Sequence, residues 1–330
     1  MIWLSFAGAV VVLVLAASQL ARYGDAIGVR TRLGGLFVGS LLLAGATSLP
    51  EVLTAINSVR VGAVNLSAGD LMGSSMVNML LLAVIDILFW RQRILRQVAL
   101  RHGLVAGIAI VMNCLVLVFL LARVDLRIGW LGVDSLLLLL TYVGGMWLLH
   151  QHSGDTAAAL EEQPNLEGVP SLRHAIIGFT ISAAVLVASN PWLVNSATTL
   201  AEVSGLTTGF VGAALVALAT SLPELVTSIA AVRIGAPDMA VGNLFGSNAF
   251  NMVAFGVGDL LYTDGHFLLE VDPAFALIGA IALLQMSFGL VGNMTRLRPR
   301  RLLVMEIDAA MIFAAYFLGM YLLYTRGIGG

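Results

Sequence analysis

The sequence predicts an all-α polytopic membrane protein with ten transmembrane helices, arranged as two inverted repeats of five helices each. Three observations predict this fold class. Of the 330 residues, 59% are hydrophobic and only 11% are charged, whereas a soluble domain carries roughly 25% charged residues. Ten apolar segments follow one another along the chain, and one stretch of sequence occurs twice, 173 residues apart.

The composition also excludes several classes of protein. A water-soluble fold of this length could not bury so much apolar surface and still cover its exterior with charge, so a soluble enzyme and a disordered chain are excluded. The net charge is −2, which leaves no basic face for nucleic acid. The single cysteine, Cys114, rules out a disulfide framework. All five histidines lie in or beside polar connections, so we do not expect an intramembrane histidine–metal site. No cofactor is expected either.

Each apolar segment has the length of one membrane span, about 20 residues. The predicted spans cover residues 2–19, 34–59, 66–90, 103–122, 129–150, 175–195, 209–232, 239–262, 273–291 and 302–324. One long polar stretch separates the spans into two sets of five. The predicted organisation is a first repeat over residues 1–149, a linker over 150–173 and a second repeat over 174–330.

The arginines predict the orientation of the spans. Alternate connections contain 13 and 4 arginines, and cytoplasmic loops carry the excess of basic residues. We therefore expect the protein to lie in the plasma (inner) membrane, with the linker in the cytoplasm and both termini outside. Asp86 and Asp259, at equivalent span ends, are expected to be solvated.

The repeated stretch pairs residues 46–79 with residues 219–252, and 18 of the 34 positions are identical without a gap. The identities include Thr, Ser, Pro, Glu, Arg and Asn, which a shared apolar composition does not supply. The match therefore indicates a duplication. Because each half has an odd number of spans, the second copy should cross the membrane in the opposite direction, which is an arrangement typical of transporters.

The repeat carries an unusual pair of acidic residues. Glu51 and Glu224 occupy equivalent positions inside predicted spans, where an ionised carboxylate costs at least ~2.5–3.5 kcal/mol. Such a group requires a cation, a proton or a cavity. Pro50 and Pro223 precede them and lack an N–H, which frees the carbonyl four residues earlier. An unwound turn that presents carbonyl oxygens to a cation would satisfy that carbonyl.

Further oxygen-bearing side chains accompany the glutamates at helical spacing. Thr47 and Ser48 precede Glu51 by four and three residues, so their oxygens share a face with its carboxylate if the turn stays helical. The following helix places a serine four residues before an asparagine in each half, and small residues there permit close packing. These residues are Ser74 with Asn78, Ser247 with Asn251, Gly69 with Gly73, and Gly242 with Gly246. Hard oxygen ligands suit Ca²⁺ and also Na⁺, and two glutamate charges balance one Ca²⁺.

The two motif pairs, TSLPE with GSSMVN and TSLPE with GSNAFN, resemble the α-repeats of the sodium/calcium exchanger family within the cation/Ca²⁺ exchanger superfamily. The resemblance implies that Glu51 and Glu224 are central carboxylates shared by Ca²⁺ and Na⁺. It further implies that Thr47 and Thr220 are backbone-carbonyl ligands of Ca²⁺, and that Asn78 and Asn251 are amides lining the centre. The hydroxyl ligands of Na⁺ would be Ser48, Ser221, Ser74 and Ser247. Ala44 and Ala217 would donate carbonyls to the same Na⁺ sites.

Family members exchange several Na⁺, typically three, for one Ca²⁺ by alternating access, so the resemblance implies electrogenic transport. Some relatives, including potassium-dependent exchangers, have an acidic residue at the position of Asn251. The amide here argues against K⁺ transport and leaves two carboxylates in the expected site. The bilayer, Ca²⁺ and Na⁺ are the expected partners.

Two kinds of alternative remain from the sequence. A Ca²⁺/H⁺ antiporter of the same superfamily could use the paired glutamates to carry protons in place of Na⁺. An intramembrane hydrolase or a non-transporting membrane scaffold belongs to a different class. The hydrolase would need a catalytic histidine, paired aspartates or a zinc motif within the spans, and a scaffold would not need duplicated buried glutamates.

Overall fold

The computed structural model describes residues 2–60, 64–90, 99–159, 168–203, 218, 220–262, 265–294, 301–302 and 305–326. Helices make up most of this part of the chain. The first half contains α1 (Ile2–Thr31), α2 (Gly35–Phe37), a π-helical segment (Val38–Leu43), α3 (Ala44–Thr47), α4 (Leu49–Arg60), α5 (Val64–Leu88), α6 (Ala99–Ala122), β1 (Arg127–Ile128), β2 (Leu131–Gly132) and α7 (Val133–Ala159). The second half contains α8 (Leu172–Val203), α9 (Leu222–Arg233), α10 (Pro237–Leu261), α11 (Phe267–Glu270), a 3₁₀ turn (Pro273–Phe275), α12 (Ala276–Met294), β3 (Arg301–Leu302), β4 (Met305–Glu306) and α13 (Ile307–Arg326).

Six of the described helices are long and apolar enough to cross a membrane, and the bent pair formed by Gly35–Thr47 and Leu49–Ile56 makes a seventh candidate span. A multi-pass membrane protein is therefore supported, while the number ten remains a prediction. Helix α10 is not among these candidate spans, although it has 25 residues. It carries four buried amide or hydroxyl side chains along its length. Of the predicted span at 209–232, the structure describes Leu218 and the residues from Thr220 onward.

Several element boundaries differ from the predicted ones. Helix α1 continues to Thr31, and α7 continues to Ala159, inside the predicted linker. The fifth predicted span began at Gly129, where the chain instead forms the β1–β2 hairpin before α7 starts. Gly129 adopts φ +69° in the two-residue connection of this hairpin, a conformation that such tight turns require and that glycine adopts without strain.

Helix α10 lies at the centre of the bundle and packs against α5, α6, α7, α9 and the bent segment of the first half. Its approach to that segment depends on glycine. A Cβ atom at Gly242 would lie 2.7 Å from the Leu36 carbonyl oxygen, and one at Gly246 would lie 2.6 Å from the Ser40 carbonyl oxygen. The predicted close packing at these two glycines is confirmed. Helices α1 and α8 pack along each other, and less of each is buried than of α5.

The expectation that Asp86 and Asp259 are solvated is wrong, because both are buried. Asp259 joins the two halves: its Oδ2 accepts a hydrogen bond from the Gly132 N–H at 2.7 Å, and its Oδ1 accepts one from the Phe267 N–H at 2.9 Å. His266 is also buried, and its Nε2 lies 2.8 Å from Asp134 Oδ2. The Asp259 carboxylate thereby satisfies one N–H of the β1–β2 hairpin and one at the start of α11, which would otherwise be buried without partners.

Candidate ion-binding site

The predicted break in the second span lies at Ser48. The helix bends by 42° between the segment ending at Thr47 and the one beginning at Leu49, and Ser48 adopts φ −88° and ψ 1°. Ser221, the equivalent residue in the second half, adopts φ −86° and ψ 3° as the residue before α9. A proline follows two positions later in each half, and its missing N–H explains why a regular helix cannot continue through this turn.

Each break places a glutamate in the first turn of the helix that follows. Glu51 and Glu224 are each only 1% exposed, and both lie where unpaired backbone N–H groups favour a negative charge. Ser48 of the first half donates a hydrogen bond to Glu224 Oε1 at 3.4 Å. The other carboxylate oxygen, Oε2, of each glutamate is buried without a hydrogen-bond partner among the described residues. Two acceptor atoms are therefore available to a cation.

The serines and asparagines of α5 and α10 are buried beside each other. Asn78 donates from Nδ2 to Asn248 Oδ1 at 3.1 Å, and Asn251 donates from Nδ2 to Ser75 Oγ at 3.2 Å. Exchange of the two halves converts one of these bonds into the other. Asn78 Oδ1 has no partner in the described part of the chain, so its amide nitrogen is held while its carbonyl oxygen stays available.

Three of the predicted hydroxyl ligands also have buried oxygens that lack a partner within the described ranges. These are the Oγ atoms of Ser74, Ser221 and Ser247. Buried polar atoms in a folded protein nearly always have a partner. Three such hydroxyls, together with the two unpartnered glutamate oxygens, therefore indicate a site shaped for a polar or charged ligand.

The remaining predicted ligands are placed unequally. Thr47 Oγ1 donates to Leu43 O in the preceding π-helical segment at 3.0 Å, and it lies 3.3 Å from Asn243 Oδ1. The Ala44 carbonyl already accepts the Ser48 N–H at 2.9 Å. Thr220 is buried, and Ala217 lies outside the described residues. The carbonyl roles that the resemblance implies for these residues stay predictions.

Two polar residues near the site were missed from the sequence. Asn243 is fully buried, and it donates to Ser228 Oγ at 3.0 Å and to the Glu224 carbonyl at 3.4 Å. Asp70 is 91% buried, and its charge repels that of both Glu51 and Glu224. The expected site of two carboxylates therefore has a third acidic neighbour. The sequence signal was available, because Asp70 precedes Ser74 by one helical turn within a predicted span.

The donor set consists of carboxylate, hydroxyl, amide and carbonyl oxygens. Neither Cys114 nor any described histidine takes part in the contacts of this group, and His266 belongs to the loop network at the far end of α10. Oxygen donors in this number suit hard cations such as Ca²⁺ and Na⁺, whereas soft or borderline metals take sulfur or imidazole.

A helical membrane bundle that encloses cation ligands between two homologous halves is typical of an ion transporter. The chain belongs to the sodium/calcium exchanger protein family, whose profile matches residues 1–150 and 174–325. The resemblance in the repeated motifs is thereby confirmed. The family consists of exchangers that transport Na⁺ and Ca²⁺, so the expectation of a transporter rather than an enzyme is confirmed as well.

Similar proteins include the CaxA protein of Alkalimonas amylolytica, which is 25% identical over 96% of each chain. The inner membrane protein YrbG of Escherichia coli is 29% identical over 72% of this chain and 71% of its own. The sodium/calcium exchanger MaX1 of Methanosarcina acetivorans is 33% identical over 34% of each chain. A solved structure of the sodium-calcium exchanger NCX_Mj superposes with a TM-score of 0.71 at 19% identity, over 97% of this chain and 99% of that one, and so shares the fold.

Proposed function

We propose that this chain is a secondary antiporter that exchanges Na⁺ for Ca²⁺ across the membrane by alternating access, electrogenically and without K⁺. One observation carries the proposal. Glu51 and Glu224, at equivalent positions of the two halves, each have a buried carboxylate oxygen without a partner in the described part of the chain. A pair of such carboxylates matches the charge of one Ca²⁺, and replacement by three Na⁺ would move one net charge per cycle.

The roles proposed for the site follow from the groups available. The two glutamates would bind Ca²⁺ together with Asn78 Oδ1, because Ca²⁺ takes six to eight oxygen ligands and prefers carboxylates. The hydroxyls of Ser74 and Ser247 are neutral and lie one helical turn from the asparagines, so they suit the singly charged Na⁺ better than Ca²⁺. Membership of the exchanger family supports both ions.

Contacts between connections support the proposed orientation, with both termini outside and the linker cytoplasmic. Arg30, at the end of α1, donates from Nε to the Pro170 carbonyl at 2.9 Å, so this end of α1 and the end of the linker lie on one side. Arg123, after α6, donates to the Val271 carbonyl at 3.3 Å. The arginine distribution assigns the first pair of connections to the cytoplasm and the second pair to the outside.

A Ca²⁺/H⁺ antiporter is the second candidate, and one observation favours it. Three buried carboxylates, those of Glu51, Asp70 and Glu224, repel one another. Protons would relieve this repulsion as Na⁺ would. The choice of driving gradient separates the two candidates.

The test uses purified protein in liposomes loaded with Na⁺ and diluted into medium free of Na⁺ and K⁺, with pH clamped and a protonophore present. Uptake of ⁴⁵Ca²⁺ under these conditions is the expected result. In a separate experiment without protonophore, external K⁺ and valinomycin set an inside-positive potential. This potential should accelerate uptake if net positive charge leaves the vesicle, since one charge gains ~2.3 kcal/mol per 100 mV.

Absence of uptake with the Na⁺ gradient, together with uptake driven by a pH gradient alone, would reject the Na⁺ mechanism and favour the proton antiporter. The variant Asn251→Asp adds a carboxylate where potassium-dependent relatives carry one. It should change the cation or pH dependence of uptake while Ca²⁺ recognition persists, and an unchanged ion dependence would contradict the role proposed for this amide.

A further inference from the structure

The third carboxylate of the site, Asp70, lies on the same face of α5 as two of the predicted ligands. Asp70, Ser74 and Asn78 are spaced by four residues each, so their side chains follow one another along one side of the helix. Ser67, three residues before Asp70, continues this face toward the start of α5. The polar face of α5 is therefore longer than the equivalent face of α10, where Ala240 stands in the place of Ser67.

Asp70 and Ser67 have the properties of an available ligand pair. Asp70 is 9% exposed and Ser67 is fully buried. Neither Asp70 Oδ2 nor Ser67 Oγ has a hydrogen-bond partner among the residues that the structure describes. A buried carboxylate oxygen and a buried hydroxyl left without partners in a membrane protein are costly, and a cation would satisfy both.

In the second half, an amide side chain occupies the position equivalent to Asp70. Asn243 is the counterpart of Asp70, and its amide donates to Ser228 Oγ at 3.0 Å. The counterpart of Ser228 in the first half is Ala55, which has no hydroxyl. A carboxylate also lacks the N–H that makes the Asn243 bond. The hydrogen bond that fixes Asn243 therefore has no equivalent at Asp70, and the two halves differ in charge at this position.

The charge balance of the site identifies the ligand class. The glutamates balance one Ca²⁺, and Asp70 adds a third negative charge close enough to repel both of them. A single carboxylate with one hydroxyl offers too little charge and too few oxygens for a second Ca²⁺. We propose that Asp70 and Ser67 form an additional Na⁺ subsite, present only in the first half, one helical turn from Ser74. The proposal rests on the proposed exchange function.

The test measures ion binding at equilibrium, so that it does not depend on transport. Purified wild-type protein and the variant Asp70→Asn are titrated by calorimetry with NaCl, and separately with CaCl₂, at each of two fixed pH values with choline holding the ionic strength. The Na⁺ concentration for half-saturation should rise about tenfold or more in Asp70→Asn, a factor that corresponds to ~1.4 kcal/mol. The half-saturation for Ca²⁺ should rise by a smaller factor.

Two further variants keep the test decisive. Ser67→Ala retains the carboxylate and should weaken Na⁺ binding in the same direction but less, which provides a reading if Asp70→Asn does not fold. Glu270→Gln removes an exposed carboxylate from the last residue of α11 and should change neither titration.

The outcomes separate this inference from the exchange function. If the wild-type protein binds neither ion, the exchange function fails and the subsite fails with it. If it binds both, but Asp70→Asn binds Na⁺ as wild type does or loses Na⁺ and Ca²⁺ by equal factors, the subsite alone is rejected. A difference between the two proteins that follows pH but not Na⁺ concentration would mean that Asp70 takes a proton, and this would also overturn the proposal.

Discussion

Replacement of Glu51 by glutamine tests the central premise that the buried carboxylates bind the transported ion. The change keeps the size of the side chain and removes its charge. Glu51 Oε2 has no hydrogen-bond partner among the described residues, so the amide disrupts no identified contact of that atom. It also removes the repulsion by Glu224, which is the strongest charge acting on Glu51. We therefore expect Glu51→Gln to fold, and to unfold without ions at or above the wild-type temperature.

The expected loss of Ca²⁺ binding is large. At a carboxylate–Ca²⁺ distance of about 2.5 Å and an effective dielectric constant of about 20, Coulomb's law gives about 13 kcal/mol between charges of +2 and −1. Desolvation of the ion and the carboxylate offsets most of this attraction, and the amide oxygen remains a weaker ligand. If only a quarter survives, about 3 kcal/mol, the dissociation constant rises by about a hundredfold or more.

The assay is calorimetric Ca²⁺ titration of Glu51→Gln and Glu224→Gln, followed by ⁴⁵Ca²⁺ flux in liposomes. Glu270→Gln is the matched control, because it removes the same charge from an exposed position outside the bundle core. Melting curves establish that each variant is folded. A folded Glu51→Gln or Glu224→Gln protein that transports Ca²⁺ at close to the wild-type rate would refute the assignment of that carboxylate as a ligand.

Three further predictions concern the hydroxyls, the orientation and the loop network. Ser74→Ala and Ser247→Ala should shift the Na⁺ dependence of uptake more than Ca²⁺ binding, and equal shifts in both would argue against separate Na⁺ sites. A single cysteine introduced as Ser153→Cys in a Cys114→Ser background should resist an impermeant thiol reagent in intact cells, and rapid labelling would reject a cytoplasmic linker. Asp259→Ala should lower the melting temperature, since it leaves two backbone N–H groups unpaired at ~1–3 kcal/mol each. The variant Asp259→Asn keeps one acceptor oxygen. Equal melting temperatures for the two variants would contradict this account.

The break at Ser48 could be predicted from the sequence because its cause is local. Pro50 removes one N–H from the helix whatever surrounds it, and the freed backbone group must be satisfied in an apolar environment. The close approach of α10 at Gly242 and Gly246 was predictable for a similar reason, since small residues at a spacing of four leave a groove for a neighbouring backbone. Features determined by a few adjacent residues were thus accessible without any knowledge of the tertiary structure.

The repeat does not mark Asp70, because it marks the positions that are identical in both halves. The 173-residue offset pairs Asp70 with Asn243, so this carboxylate does not stand out as duplicated. Its spacing from Ser74 and Asn78 nevertheless placed it on the predicted ligand face. The identical residues therefore mark what both halves need, and the residues that differ mark where the site is asymmetric.

The burial of Asp259 could not be predicted, because its cause is a contact between distant parts of the chain. An aspartate at the end of an apolar segment is usually solvated, and nothing near Asp259 in the sequence indicates otherwise. Its partners are the N–H of Gly132, which lies 127 residues away, and that of Phe267 at the start of α11. A Cβ atom at Gly132 would lie 2.1 Å from Asp134 Oδ1 and 2.5 Å from His266 Nε2. The carboxylate is buried only because the β1–β2 hairpin, with a glycine at this point, folds against the second half, and that packing depends on the tertiary structure as a whole.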